Sequence, residues 1–197
     1  KSSWWIAFEG TEGRTFSAGY VVDYSALRTQ ANRSTSNSVA TLKSQFTTKL
    51  GRAYSSTIED SLKDPSGKRL RGRVNLIFTS PPFPLLHPKK YGNKEGTEYV
   101  EWLTSICQDM LPLLTPDGSL VMEIGNAWNK GQATMSTVPI ETLLSVARLP
   151  GMHVCQQFIW HNSAKLPGPA EWVTKKRIRV TDSWTHLWWF SNSESPK

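Results

Sequence analysis

Apolar positions along the chain fall into two patterns. Nearly continuous apolar or aromatic runs occupy Trp4-Trp5-Ile6-Ala7-Phe8, Val74-Asn75-Leu76-Ile77-Phe78, Leu120-Val121-Met122-Glu123-Ile124-Gly125, His153 to Trp160 and Trp184 to Phe190. Each is short and bounded by turn residues, which reads as a strand. The Val74 run, with Gly72 behind it and Pro81 ahead, has the character of a strand buried on both faces, although a short buried helix gives the same local pattern. The two aromatic-rich runs near the C-terminus are expected to be neighbouring strands, with Trp160, Trp188 and Trp189 as sheet packing.

The second pattern is helical. Tyr99, Leu103, Ile106, Met110 and Leu113 recur at helical spacing after Thr97, with Glu98 and Glu101 near the positive end and Pro112 and Asp117-Gly118 as stops. Pro139 to Leu149 predicts another helix, with Leu143, Val146 and Ala147 inward and Pro150-Gly151 as its end. Residues 27 to 49 lack periodicity and predict a loop, and Ala53 to Ile58 an extended segment leading into Glu59-Asp60-Ser61-Leu62. Asp64-Pro65-Ser66-Gly67 reads as a turn, and Pro84 to Asn93 as a loop with Lys89, Lys90 and Lys94 on or beside it.

Length changes this picture little: 197 residues suffice for one sizeable core, and a single domain over 1–197 is expected. Charge changes it more. The net charge is +7 and the isoelectric point about 9.5, which favours an anionic partner, nucleic acid first. The excess concentrates between the last two strands, where Lys165, Lys175, Lys176, Arg177 and Arg179 lie near the Pro167-Gly168-Pro169 turn and Trp172. Such a cluster either follows a phosphate backbone or is a solvated face. The two cysteines, Cys107 and Cys155, have no metal or disulfide spacing and read as packed thiols, so no metal site is expected. Without a membrane-length apolar stretch or a secretion signal, the expectation is a soluble cytoplasmic protein.

Candidate chemistry lies where the Val74 strand stops, at Thr79-Ser80-Pro81-Pro82-Phe83. Consecutive prolines fix their own φ and hold the preceding residue extended, so the carbonyls of this loop point in set directions. Ser80 adds a hydroxyl acceptor and Phe83 a flat face for stacking. Glu123 is the oddity of the Leu120 strand, because a carboxylate there either pairs or faces a polar cleft. A proline-capped strand end without a ligand fits the same residues.

Thr79-Ser80-Pro81-Pro82-Phe83 resembles the (Ser/Asp)-Pro-Pro-aromatic motif of DNA methyltransferases that modify exocyclic amino groups, serine pointing to the N4-cytosine branch. The resemblance extends through Lys90-Tyr91-Gly92-Asn93, Glu98-Tyr99-Val100-Glu101-Trp102, Pro116-Asp117-Gly118-Ser119, Ser163 to Val173 and Trp188-Trp189-Phe190-Ser191. In order these look like the family's beta arrangement, of restriction-modification type, over residues 53 to 197. The resemblance implies an α/β fold with a Rossmann-like S-adenosylmethionine-dependent sheet, here incomplete. It further implies double-stranded DNA as partner, with 161–183 as a DNA-contacting loop through Lys165, Trp172, Lys175, Lys176, Arg177 and Arg179. Ser80, Pro81, Pro82 and Phe83 would be catalytic, holding a flipped cytosine, with Glu123 in support or in a structural ion pair. Thr79 would border the cofactor, and Asp60-Ser61 either lies near it or caps a helix. Glu9 either takes the ribose hydroxyls at the end of its strand, or belongs with Gly10 and Gly13 to a degenerate glycine loop, or binds nothing.

The sequence lacks the family's Phe-x-Gly-x-Gly block. A missing segment or a second polypeptide would then supply it, or the chain would be a DNA-binding module without catalysis; N6-adenine is the alternative target. Rival chemistries lack their residues. Neither cysteine follows proline, as a C5-cytosine nucleophile would, and neither the zinc-deaminase ligand pattern nor a phosphate-loop Gly-x-x-x-x-Gly-Lys occurs.

Overall fold

The apolar run of the candidate loop forms β5 (Val74–Thr79), which lies between two parallel neighbours, β2 (Thr15–Tyr20) and β6 (Leu114–Gly125). The computed structural model describes residues 4–9, 15–20, 42–49, 51–84, 94–166 and 168–196, with side chains from residue 42 onward. The remaining strands are β1 (Trp4–Glu9), β3 (Ser44–Thr47), β4 (Gly51–Ser55), β7 (His153–His161) and β8 (Trp184–Ser191). Together they make an eight-stranded sheet in the order β3-β4-β1-β2-β5-β6-β8-β7. Strands β1, β3 and β8 run against the other five, so the sheet is mixed.

Helices α1 (Ile58–Lys63), α2 (Pro65–Lys68), α3 (Gly96–Met110) and α4 (Val138–Ala147) join the strands, with a 3-10 turn at Leu111–Leu113 and a π-helical turn at Glu171–Lys175 in the basic segment. The stripe read from the sequence is the buried face of α3: Tyr99, Leu103, Ile106 and Met110 all lie in the core, with Cys107 among them. Burial pushes the Cys107 thiol up to about 12, which keeps it protonated and inert. Helix α4 adds Val146, and Gly151 follows it with φ +74°, a conformation that favours glycine. These helical residues meet Val74, Ile77, Leu120, Met122, Ile124 and Phe190 on one face of the sheet.

Alternation along the strands leaves the other face different. Leu76, Phe78, Val121, Leu187 and Trp189 are only half-covered by the described residues. The expectation that β5 is buried on both faces is therefore corrected: Val74, Ile77 and Thr79 are buried, and Leu76 and Phe78 are not. Trp189 stacks on Phe158 and donates to Ser119 Oγ at 2.9 Å, and Trp188 packs on the core, but Trp160 is 53 % exposed and is not sheet packing.

Local punctuation departs from the sequence reading at a few places. Ser44–Thr47 is a strand inside the expected loop, while 28–38 lie outside the described residues. Asp64-Pro65-Ser66-Gly67 opens a one-turn helix because the Asp64 carboxylate caps it, accepting from Ser66 N at 2.7 Å, from the Ser66 hydroxyl, and from Leu42 N at 2.8 Å. The Ser66 hydroxyl and then the Leu42 amide hold this buried carboxyl below its ordinary range. Thr97 lies inside α3 rather than before it, and Asp117-Gly118 lies inside β6.

Candidate active site

Five parallel-running strands define a carboxyl edge, where an open α/β sheet presents its loops to ligands. Thr79 ends β5 at that edge, buried, with Met122 of β6 as its register partner. Ser80 follows half-buried, Pro81 is buried, and Pro82 and Phe83 are half-buried. The chain therefore leaves the sheet through a stiff segment anchored at Pro81, with the serine and the aromatic ring partly accessible.

Strand β6 continues past Met122 to Gly125, and Phe83 folds back over this extension. A Cβ on Gly125 would lie 2.8 Å from both Cδ2 and Cε2 of Phe83. No positive φ requires glycine there, so its role is space for the ring. A glycine ending an otherwise apolar strand was the available signal of such close approach.

Glu123, two residues before Gly125 and on the same face of β6, accepts a hydrogen bond from Thr185 Oγ1 at 3.1 Å. It is half-buried and anchored across the β6–β8 pair, with no ion pair among the described residues. The described partner of Glu123 is thus a hydroxyl on the neighbouring strand.

Asp60 and Ser61 also belong to the carboxyl edge. Strand β4 runs in the direction of β5 and ends at Ser55, and α1 follows from that end. Thr57 is the N-cap, its hydroxyl accepting from Asp60 N at 3.1 Å, and Ser61 Oγ donates to Thr57 O at 2.9 Å. Neither Asp60 nor Ser61 is therefore the cap, and the Asp60 carboxylate is exposed. Three strand spacings, about 14 Å, separate β4 from β5. Glu9 is not brought to this edge. It pairs with Thr15, which pairs with Val74 at the start of β5, so the antiparallel course of β1 carries Glu9 to the opposite edge. Gly10 and Gly13 lie outside the described residues.

The basic loop between β7 and β8 rises from the same carboxyl edge, since Trp160 and Gly125 both pair with Thr185. Its cations have different employments. Lys165 Nζ pairs with Asp182 Oδ2 at 3.1 Å and donates to Trp184 O at 3.3 Å, while Asn126 Nδ2 donates to Asp182 Oδ1 at 3.1 Å. Lys165 is thus built into the loop's base through an internal ion pair. Glu171 takes Lys175 at 3.1 Å and Lys176 at 3.7 Å, and the Lys175 hydrogen bond foremost lowers the Glu171 carboxyl. Lys176 also lies 4.3 Å from the Trp172 ring centroid. Arg177 and Arg179 are exposed without an ion pair among the described residues, and Arg179 Nε donates to Ala133 O at 2.8 Å, joining this loop to the one after β6. Sequence reading missed Asp182, Asn126 and Thr185, whose roles arise only from pairing across β6 and β8. Lys89 and Lys90 lie outside the described residues, and Lys94 pairs with Glu98.

Comparison with known proteins places these features in a family. Type II methyltransferase M.PvuII of Proteus hauseri is 39% identical over 158 residues, covering 79% of this chain and 45% of that protein. Type II methyltransferase M.SfiI of Streptomyces fimbriatus is 25% identical over 141 residues, covering 61% and 32%. The chain thus spans less than half the length of these relatives. The solved structure of the PvuII DNA methyltransferase, described as cytosine-N4-specific, superposes with a TM-score of 0.58 at 41% identity, over 64% of this chain and 45% of that one. The mixed sheet is accordingly a Rossmann-like methyltransferase sheet. A family model for the N6 and N4 DNA methylases matches residues 74–197, from the strand that presents Ser80 through the basic loop and beyond, and the chain belongs to that family.

Proposed function

We propose that this chain carries the base-modifying part of a DNA methyltransferase that transfers a methyl group from S-adenosylmethionine to the N4 amino group of cytosine. The observation that carries the reading is the anchored Ser80-Pro81-Pro82-Phe83 loop at the carboxyl edge, its ring seated on Gly125, in a chain so similar to a cytosine-N4-specific enzyme.

The amino lone pair of cytosine is delocalised into its ring, so the nitrogen is a poor nucleophile until it is turned. The Ser80 hydroxyl and the Pro81 carbonyl each accept one amino hydrogen in this reading, orienting the nitrogen on a loop that needs no reorganisation. Phe83 stacks on the base once it has left the duplex. Glu123, held by Thr185, supports the polar side of the ring. S-adenosylmethionine supplies the electrophilic methyl group when bound. The exposed Asp60 carboxylate at the same edge suits its ribose hydroxyls, with Thr79 bordering the site; Glu9, at the far edge, has no part. Arg177 and Arg179 meet phosphate. Lys165 maintains the loop.

Equilibrium binding of labelled S-adenosylmethionine tests the cofactor assignment. Asp60→Asn is expected to weaken binding about tenfold, as for a lost charge-assisted hydrogen bond, with methyl transfer at saturating cofactor preserved. Wild-type protein that binds no cofactor, or unaltered affinity in the variant, would contradict it.

A further inference from the structure

The basic loop carries apolar side chains that packing does not explain. Leu166 is 84% exposed and Val180 86%, the two most exposed of the described large apolar residues, and Ile178 is 52% exposed. They alternate with cations in Lys165-Leu166 and in Arg177-Ile178-Arg179-Val180. An isolated exposed leucine needs no explanation. Large apolar residues are exposed on β3, α4 and β7 as well, but Leu166 and Val180 exceed them all and sit among cations beside the candidate edge; a polyanion with an apolar interior is the partner that alternating arginines and aliphatics fit.

The backbone that presents them is pinned. Next to Leu166, Lys165 is tied through Nζ to Asp182 and through its amide to Asn162 O at 3.1 Å. Next to Val180, Arg179 is tied through Nε to Ala133 O at 2.8 Å, and its amide reaches Trp172 O at 3.3 Å. Asp182 closes the base of the loop, its amide donating to Gly168 O at 3.3 Å while its carboxylate holds Asn126. Each aliphatic side chain therefore has a neighbour held by hydrogen bonds to the rest of the fold, and anchoring of that kind lowers the entropy lost on insertion.

We propose that Leu166 and Val180 form a wedge that enters double-stranded DNA and occupies the space left in the stack when the target base turns out. The inference rests on the DNA-methylation reading and deepens it. Removing a base from the stack leaves an apolar gap between its neighbours, and an aliphatic side chain in that gap replaces lost stacking and excludes water. Arg177 and Arg179 hold the flanking phosphates while the wedge inserts. The role of Phe83 is distinct: it receives the extruded base, whereas the wedge prevents its return.

The binding comparison needs no known recognition sequence. Fluorescence anisotropy compares binding of the protein to a matched mixed-sequence duplex and to the same duplex with one central abasic site, in which the gap already exists. Wild type is expected to favour the abasic duplex by about tenfold. The double variant Leu166→Ser/Val180→Ser is expected to keep its thermal midpoint and its matched-duplex affinity, since both residues are exposed and all charges remain, and to lose the preference. An unchanged preference in the variant would overturn the wedge, as would a wild type that binds both duplexes equally while methylating DNA, which leaves the enzymatic reading intact. A lowered thermal midpoint with the preference retained would assign the two side chains to protein packing and overturn it as well. Wild-type protein that binds neither duplex would overturn both readings.

Discussion

At the scale of single residues, the account turns on what each side chain is already doing in the fold. Ser80 and Phe83 were legible because double proline and a flanking aromatic form a compact local pattern. Lys165 shows the opposite case: its charge is visible in the sequence, but its partner Asp182 is distant and is reached only when β7 and β8 pair. Gly125 was legible as a strand end and not as a seat, since its contact with Phe83 crosses from one strand's loop to the next strand. Gly125→Ala is expected to push the ring by several tenths of an ångström and to lower kcat about tenfold to a hundredfold, the usual cost of a small misplacement near reacting atoms. S-adenosylmethionine affinity should stay unchanged, because Asp60 lies three strands away. Steady-state kinetics with parallel cofactor binding measures both; an unaltered kcat would separate Gly125 from the site.

At the scale of elements, hydrophobic period did most of the reading. The stripe Tyr99, Leu103, Ile106 and Met110 is the inner face of α3, and the runs at Val74, Leu120, His153 and Trp184 are strands. Period did not report that one face of β5 stays half-covered, because an apolar run looks the same whether one layer packs on it or two. Nor did it report α2, which exists because one carboxylate caps it. Strand β8 adds an element with a pH signature: His186 lies between Trp184 at 4.5 Å and Trp188 at 5.1 Å, and burial, opposed by Asp182, lowers its ionisation below 6.5. A lowered folded value means that protonation favours the unfolded chain. Stability should therefore fall as pH drops below about 6.5 and level off beneath the folded value. The Asp64 carboxyl, lowered in the fold, contributes stability above about 3.8 that is lost on further acidification. Urea midpoints across this range should show the two declines separately, with the first absent in His186→Gln; a profile identical in wild type and variant would contradict the assignment.

At the scale of the whole molecule, strand direction decides what reaches the site, and strand direction is the quantity least visible in a sequence. Glu9 ends an apolar strand as a ribose-binding acid would, yet β1 runs against β5 and delivers it to the wrong edge. Asp60, whose strand runs with β5, arrives at the right one. The order of family-like blocks agrees with the family that matches residues 74–197, because those blocks follow one another through β5, β6, β7 and β8. No described helix is long and apolar enough to cross a membrane, and the net charge of +7 suits a polyanionic substrate. The most direct measurement is transfer of labelled methyl from S-adenosylmethionine to mixed-sequence DNA, followed by nucleoside analysis, for wild type and Ser80→Ala. The account expects N4-methylcytosine from the wild type and a loss of at least about a hundredfold in the variant. Label in N6-methyladenine, undiminished transfer by Ser80→Ala, or no transfer by the wild type would contradict it.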